Sequence, residues 1–123
     1  MQLIDFRSVV ARNVFDSFRM PVITGFRGSV GPARRFILRD EDFDIHIKIW
    51  GEENRRKIRG QVLPRSGKEF AQPAQCHLLR KGARCQSTTT SETGEFHFDE
   101  VPQGDLTLQV DLPGLTIVGS LLP

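Results

Sequence analysis

The chain has 123 residues, 38% of them hydrophobic, and a formal net charge of +2. That length supports one domain with one efficiently patterned core and is too short for two. No apolar run approaches the roughly 18 residues a membrane helix needs. Asp5, Arg7 and Arg12 interrupt the opening MQLIDFRSVVARN before the apolar stretch of a secretory signal can form, so a cytoplasmic protein is expected.

Residues 1–33 read as an arm and linker, set apart from a β-sandwich domain over 34–123. Leu3, Phe6, Val10 and Val14 recur at helical spacing, while SVVARNVFDSF reads equally well as an edge strand. PVITGFRGSVGP, with three glycines and two prolines, reads as a linker. An apolar arm of this kind packs on its own sandwich or docks on a partner, with Phe15 and Phe18 as anchors. Self-packing is the favoured expectation.

RRFILR (34–39) is expected as the first strand of the sandwich. In FDIHIKIW, Phe43, Ile45, Ile47 and Ile49 fall on one side and Asp44, His46, Lys48 and Trp50 on the other, the period of a half-buried strand. GEEN (51–54) predicts a turn. KIRGQVL then places Ile58, Gly60 and Val62 on one face. AQCHLLR, KG and RCQSTTT predict a hairpin carrying Cys76 and Cys85. A two-residue turn at Lys81 and Gly82 would set the two cysteines diagonally on one face; a three-residue loop would set them on opposite faces. Diagonal neighbours are too far apart for an ordinary disulfide, so two reduced thiols are expected.

Phe96 and Phe98 alternate with Glu95, His97 and Asp99. After the turn at Pro102, Gln103 and Gly104, Leu106, Leu108, Val110 and Leu112 alternate with polar residues. This pattern predicts a hairpin that lends one face to a core and leaves its acids and His97 wet. LTIVGSLL predicts the last strand. Seven or eight short strands with turn signals between them, and no helical period after residue 33, predict an antiparallel all-β sandwich or barrel.

The residues that carry chemistry argue against catalysis. Asp40, Asp42 and Asp44 imitate the start of a calcium loop, yet the sixth and twelfth positions hold Ile45 and Gly51 where such a loop needs Gly and Glu. His46, His77 and His97 each alternate with apolar neighbours and are expected on solvent faces, without the local spacing of zinc ligands. No serine stands in a G-x-S-x-G elbow, and no glycine-rich stretch joins a strand to a helix. No cofactor and no metal is expected.

Charge is arranged in blocks: seven bases against two acids over 1–39, one against six over 40–54, nine against one over 55–84, and none against six over 85–123. Complementary rows on neighbouring strands are the expected use of such blocks. The basic set Arg55, Arg56, Lys57 and Arg59 reads as a solvated turn and guarded strand edge, or as a holder of phosphate or an acidic partner. Trp50, on the exposed side of its strand, is a candidate interface anchor.

Ile58-x-Gly60-x-Val62, Ala74-x-Cys76-x-Leu78 and Thr93-Gly94-x-Phe96-x-Phe98-x-x-Val101-Pro102-x-Gly104-x-Leu106-x-Leu108-x-Val110 resemble the carboxypeptidase regulatory-like domain. The likeness covers about residues 58–112. Leu106 stands where the family has an aromatic, and Ser91 where it has an acid. With Val14-Phe15-Asp16-Ser17 and the R-R-F-x-x-R strand, the whole chain is similar to small bacterial proteins that carry this domain. The resemblance implies a transthyretin-like β-sandwich without catalytic activity, an accessory part of a regulatory or defence system. The partner it implies is another protein, such as a sigma factor or a caspase-like peptidase. The transthyretin-like branch that hydrolyses 5-hydroxyisourate needs an early histidine and a Y-R-G-S ending. This chain has no histidine before His46 and closes on GSLLP. The alternative expectation is a carbohydrate- or nucleic-acid-binding sandwich that uses the basic edge.

Overall fold

A computed structural model describes residues 7–16, 33–51, 55–65, 73–102 and 104–121. Its described elements are all strands: β1 Arg7–Val10, β2 Arg12–Asp16, β3 Arg34–Arg39, β4 Phe43–Trp50, β5 Arg56–Pro64, β6 Gln75–Arg80, β7 Ala83–Thr89, β8 Glu95–Val101, β9 Leu106–Leu112 and β10 Leu115–Leu121. They form two five-stranded sheets. The first runs β1-β10-β9-β6-β7 and the second β2-β3-β4-β5-β8. Every pairing is antiparallel except β1 with β10.

Period-two alternation builds the core as the sequence predicts. Ile45, Ile47, Ile58, Val62, Phe96 and Phe98 of the second sheet are buried with Cys76, Leu78, Leu108, Val110 and Ile117 of the first, in one cluster. A side chain of this size contributes about 1.5–3 kcal/mol when fully removed from water. Two glycines make room for packed side chains, Gly119 between the layers and Gly60 under the ring of its cross-strand partner Phe96. A Cβ on Gly119 would stand 2.3 Å from Leu38 Cδ1, and one on Gly60 would stand 2.2 Å from the Phe96 ring. Among the described residues, no helix is long and apolar enough to cross a membrane.

Residues 7–16 take the strand form rather than the helical one. β1 pairs with β10 on the edge of the first sheet, and β2 pairs with β3 on the edge of the second. Between them Ala11 is buried, and its N–H donates to the Val118 carbonyl at 2.8 Å. The chain therefore passes from one layer to the other within a single residue and closes one side of the sandwich. On the opposite side, Gln86 Nε2 of β7 donates to the carbonyls of Asp99 and Glu100 on β8, at 2.9 and 3.2 Å.

The predicted hairpin across Pro102 and Gly104 is not one. β8 pairs with β5 in the second sheet, whereas β9 lies between β10 and β6 in the first. The turn carries the chain across the core instead of back along its neighbour. Alternation demands only that both strands show an apolar face to the same interior, and strands opposite each other meet that demand as well as strands side by side. Glu100, at φ 52°, takes the left-handed conformation just before the crossing.

The β6–β7 hairpin keeps the two-residue turn. Lys81 and Gly82 have φ of 52° and 81°, the positive pair of a tight primed turn. The cysteines nevertheless do not share a face. A bulge shifts the register so that Leu79 opposes Arg84 and Leu78 opposes Gln86, leaving Cys85 as the extra residue. Cys76 is buried and Cys85 exposed, and both are free thiols. Burial, with the charge of Asp111 adding to it, pushes the Cys76 thiol up to about 12 and makes it inert.

Candidate functional site

The outward face of the second sheet gathers side chains that are scattered in the sequence. Arg35 of β3 lies opposite Lys48 of β4, Lys48 opposite Arg59 of β5, and Arg59 opposite His97 of β8. Three permanent cations and an imidazole thus form one row across four strands. With strands about 4.8 Å apart, the row is roughly 14 Å long. One register step away lie Ile37, His46, Gln61 and Glu95. Together these residues line an open groove of about 720 Å³.

The expectation of complementary charge rows fails at this place. Like charges directly across a ladder cost stability, and here they are aligned because the two alternating strands of the β4–β5 hairpin meet with Trp50 opposite Lys57. The cost is offset in part by the indole. Lys48 Nζ lies 5.2 Å from the Trp50 ring centroid and Arg59 Cζ lies 6.0 Å from it, both within cation–π range. Complementary pairing does occur two outward positions further along β3 and β4. Arg39 donates to both carboxylate oxygens of Asp44, at 2.8 and 3.1 Å, and holds that carboxyl below its ordinary range.

Of the basic set 55–59, Lys57 and Arg59 are on this face, and Arg55 is exposed before β5 begins. Arg56 is drawn inward: its Nη2 donates to the Pro102 carbonyl at 2.6 Å, its Nε is buried without an acceptor, and burial lowers its pKa. Arg56 therefore ties β5 to the crossing after β8 and does not belong to a contact surface. Phe18 and the side chain of Phe15 lie outside the described residues. Lys48, Arg35 and His97 were not singled out as binding residues from the sequence. The signal that would have found them is the register across residues 51–55, which sets Lys48 against Arg59.

Two of the three histidines face solvent as expected, His46 and His97 on the outward side of the second sheet. His77 does not. It lies on the outward side of the first sheet but is 7% exposed, held between Ser87 of β7 and Asp111 of β9. Its Nδ1 is 2.7 Å from Ser87 Oγ and its Nε2 3.2 Å from Asp111 Oδ2. With His77 on one outer face and the other two on the opposite one, the three cannot share an ion. Among the described residues, no cluster of His, Cys, Asp and Glu is placed to hold a metal. Asp42 N–H donates to Asp40 Oδ1 at 3.0 Å, so the aspartates of 40–44 form a turn closed on itself and on Arg39.

Comparison with protein-family models, with curated proteins and with solved structures finds no match to this chain.

Proposed function

We propose that the chain is a non-enzymatic protein-interaction module that holds an acidic segment of another protein on the outward face of its second sheet. The observation that carries this reading is the like-charge row centred on Lys48 and Arg59, beside the half-buried Trp50. Stability alone disfavours such a row, and a carboxylate laid along it removes the repulsion. Its dimensions favour a peptide over a nucleic acid. The row is bounded by Glu95 on one side and by Trp50 and Lys57 on the other, and its roughly 14 Å spans two or three carboxylates of an extended segment. A nucleic-acid groove needs a wider basic field with less compensation.

Phe96, Phe98, Val101, Leu106, Leu108 and Val110 of the motif are buried, which suits reading the sandwich as transthyretin-like, of the carboxypeptidase regulatory-like kind. On that reading the chain is a cytoplasmic accessory component of a bacterial regulatory or defence system, and the acidic segment belongs to a sigma factor or a caspase-like peptidase. β1 and β2 pair within the molecule, so this reading places the contact on the sheet face and not on those two strands.

Trp50 is the single tryptophan, so its fluorescence reports on the site directly. Titration with a glutamate-rich peptide is expected to change that emission, and Lys48→Glu with Arg59→Glu is expected to weaken binding at least 10-fold without loss of the fold. Unchanged affinity in the double variant refutes the site. Tighter binding of a single-stranded oligonucleotide, with a steep loss in salt, replaces the peptide reading by the nucleic-acid one.

A further inference from the structure

The outward face of the first sheet holds a second arrangement, unrelated to the basic row. His77 stands between Ser87 on β7 and Asp111 on β9. A carboxylate only accepts, which favours the Nε2–H tautomer toward Asp111 Oδ2, and in that tautomer Nδ1 accepts from the Ser87 hydroxyl at 2.7 Å. Asp111 is itself held. Its other oxygen accepts from Gln109 Nε2 and from Thr116 Oγ1, each at 3.0 Å. The imidazole is buried, while Ser87 is exposed. A hydroxyl open to solvent is thus backed by an oriented base, and the base by an oriented carboxylate.

The backbone adds a donor. Thr90 N–H donates to the Ala74 carbonyl, so that pair is hydrogen-bonded, and alternation makes His77–Ser87 a non-hydrogen-bonded pair. Ser87 N–H therefore points off the free edge of β7 instead of into the ladder. There it can receive the negative charge that develops on a carbonyl under attack by its own side chain. The bulge at Cys85 is what creates the site. In an unbroken hairpin from the same turn, His77 would face Gln86, and Ser87 would face Cys76.

We propose that Ser87 is a nucleophilic modification site that takes the acyl group of an activated ester. Ser87 Oγ bonds to the ester carbonyl carbon as its proton passes to His77 Nδ1. The carbonyl π electrons move to oxygen, next to Ser87 N–H. Collapse of this intermediate breaks the bond to the leaving group, which departs as a phenolate or, taking the proton from His77, as an alcohol. An acyl ester on Ser87 remains. Asp111 is a positioning residue that sets the tautomer and steadies the imidazolium. The ligand class is a small activated acyl ester, since the serine stands on an open strand edge.

The experiment is incubation of the full chain with p-nitrophenyl acetate, following release of p-nitrophenolate and mapping the acetyl group by mass spectrometry. One acetyl per chain on Ser87 is expected. Ser87→Ala removes it, and His77→Gln slows it at least about 100-fold. Asp111→Asn slows it about 10-fold or more, and the ring ¹⁵N shifts of His77 lose their preference for Nε2–H. Thermal melts of each variant separate loss of reactivity from loss of fold. If His77→Gln does not fold, Asp111→Asn and its ¹⁵N signature carry the test. Acetyl found only on lysines or the chain terminus, or a Ser87 rate indifferent to both His77→Gln and Asp111→Asn, overturns the proposal.

Discussion

The two outward faces of this sandwich are built on the same principle and arrive at opposite results. Each is the polar side of alternating strands whose apolar side shares one interior. On the first sheet, the outward groups consume one another: His77, Asp111, Gln109, Thr116 and Ser87 form a connected set of hydrogen bonds. On the second, Lys48 and Arg59 face each other with like charge, and the indole of Trp50 is their shared neighbour. A face whose polar groups satisfy one another contributes to the fold. A face whose charges repel is held in place by the rest of the fold and has electrostatic interaction left for a ligand.

The largest effect is expected where both faces depend on one segment. Removing residues 1–16 strips an edge strand from each sheet, exposes the interior beside Ala11 and Leu38, and should lower the unfolding midpoint by about 10 °C or more or abolish a cooperative transition. A melt close to that of the full chain would show the faces to be independent of the arm. An intermediate effect separates the faces. His77→Ala removes a buried ring and the hydrogen bond it gives to Asp111 Oδ2, and should cost about 1–2 kcal/mol in urea unfolding. Lys48→Ala should stay within about 0.5 kcal/mol or be slightly stabilising. Equal costs would erase the distinction.

The smallest effect concerns the one complementary pair on the basic face. Arg39 depresses the carboxyl of Asp44 below the ordinary aspartate value of 3.8. A depressed folded-state pKa stabilises above the unfolded value and loses that contribution as pH falls through the folded one. Asp44→Asn should therefore lower stability slightly at pH 7 and have no effect once the pH is well below 3.8. The pair lies at the surface, with the Arg39 side chain 38% exposed and that of Asp44 18%, so water screens it in part and the difference is small. A larger loss in acid than at neutrality would reverse the assignment.

Much of the sandwich is legible in the residues. FDIHIKIW and LTLQVDL announce strands because branched and apolar side chains at every second position suit nothing else so well, and the interior they predict is the interior found. The sites were less legible. Lys48 looks like an ordinary solvent-facing lysine until Arg59 is placed beside it. Arg56 looks like one more base in a run until Pro102 supplies its acceptor. His77 shares its local pattern with His46 and His97 and, like His46, has a strand on each side; what sets it apart is that those strands bring Ser87 and Asp111 onto its ring.

The amino-acid order alone determined which apolar side chains line the interior, because period-two alternation depends on local backbone geometry and on nothing further along the chain. It did not determine which strands lie side by side. Whether Pro102 and Gly104 turn the chain back or send it across the core, whether Cys85 is paired or extra, and hence whether His77 meets a serine or a glutamine, were decided only when two sheets packed. Those choices rest on contacts between residues far apart in sequence, and one residue of shift in register changes every neighbour on the outward faces while leaving the interior pattern readable.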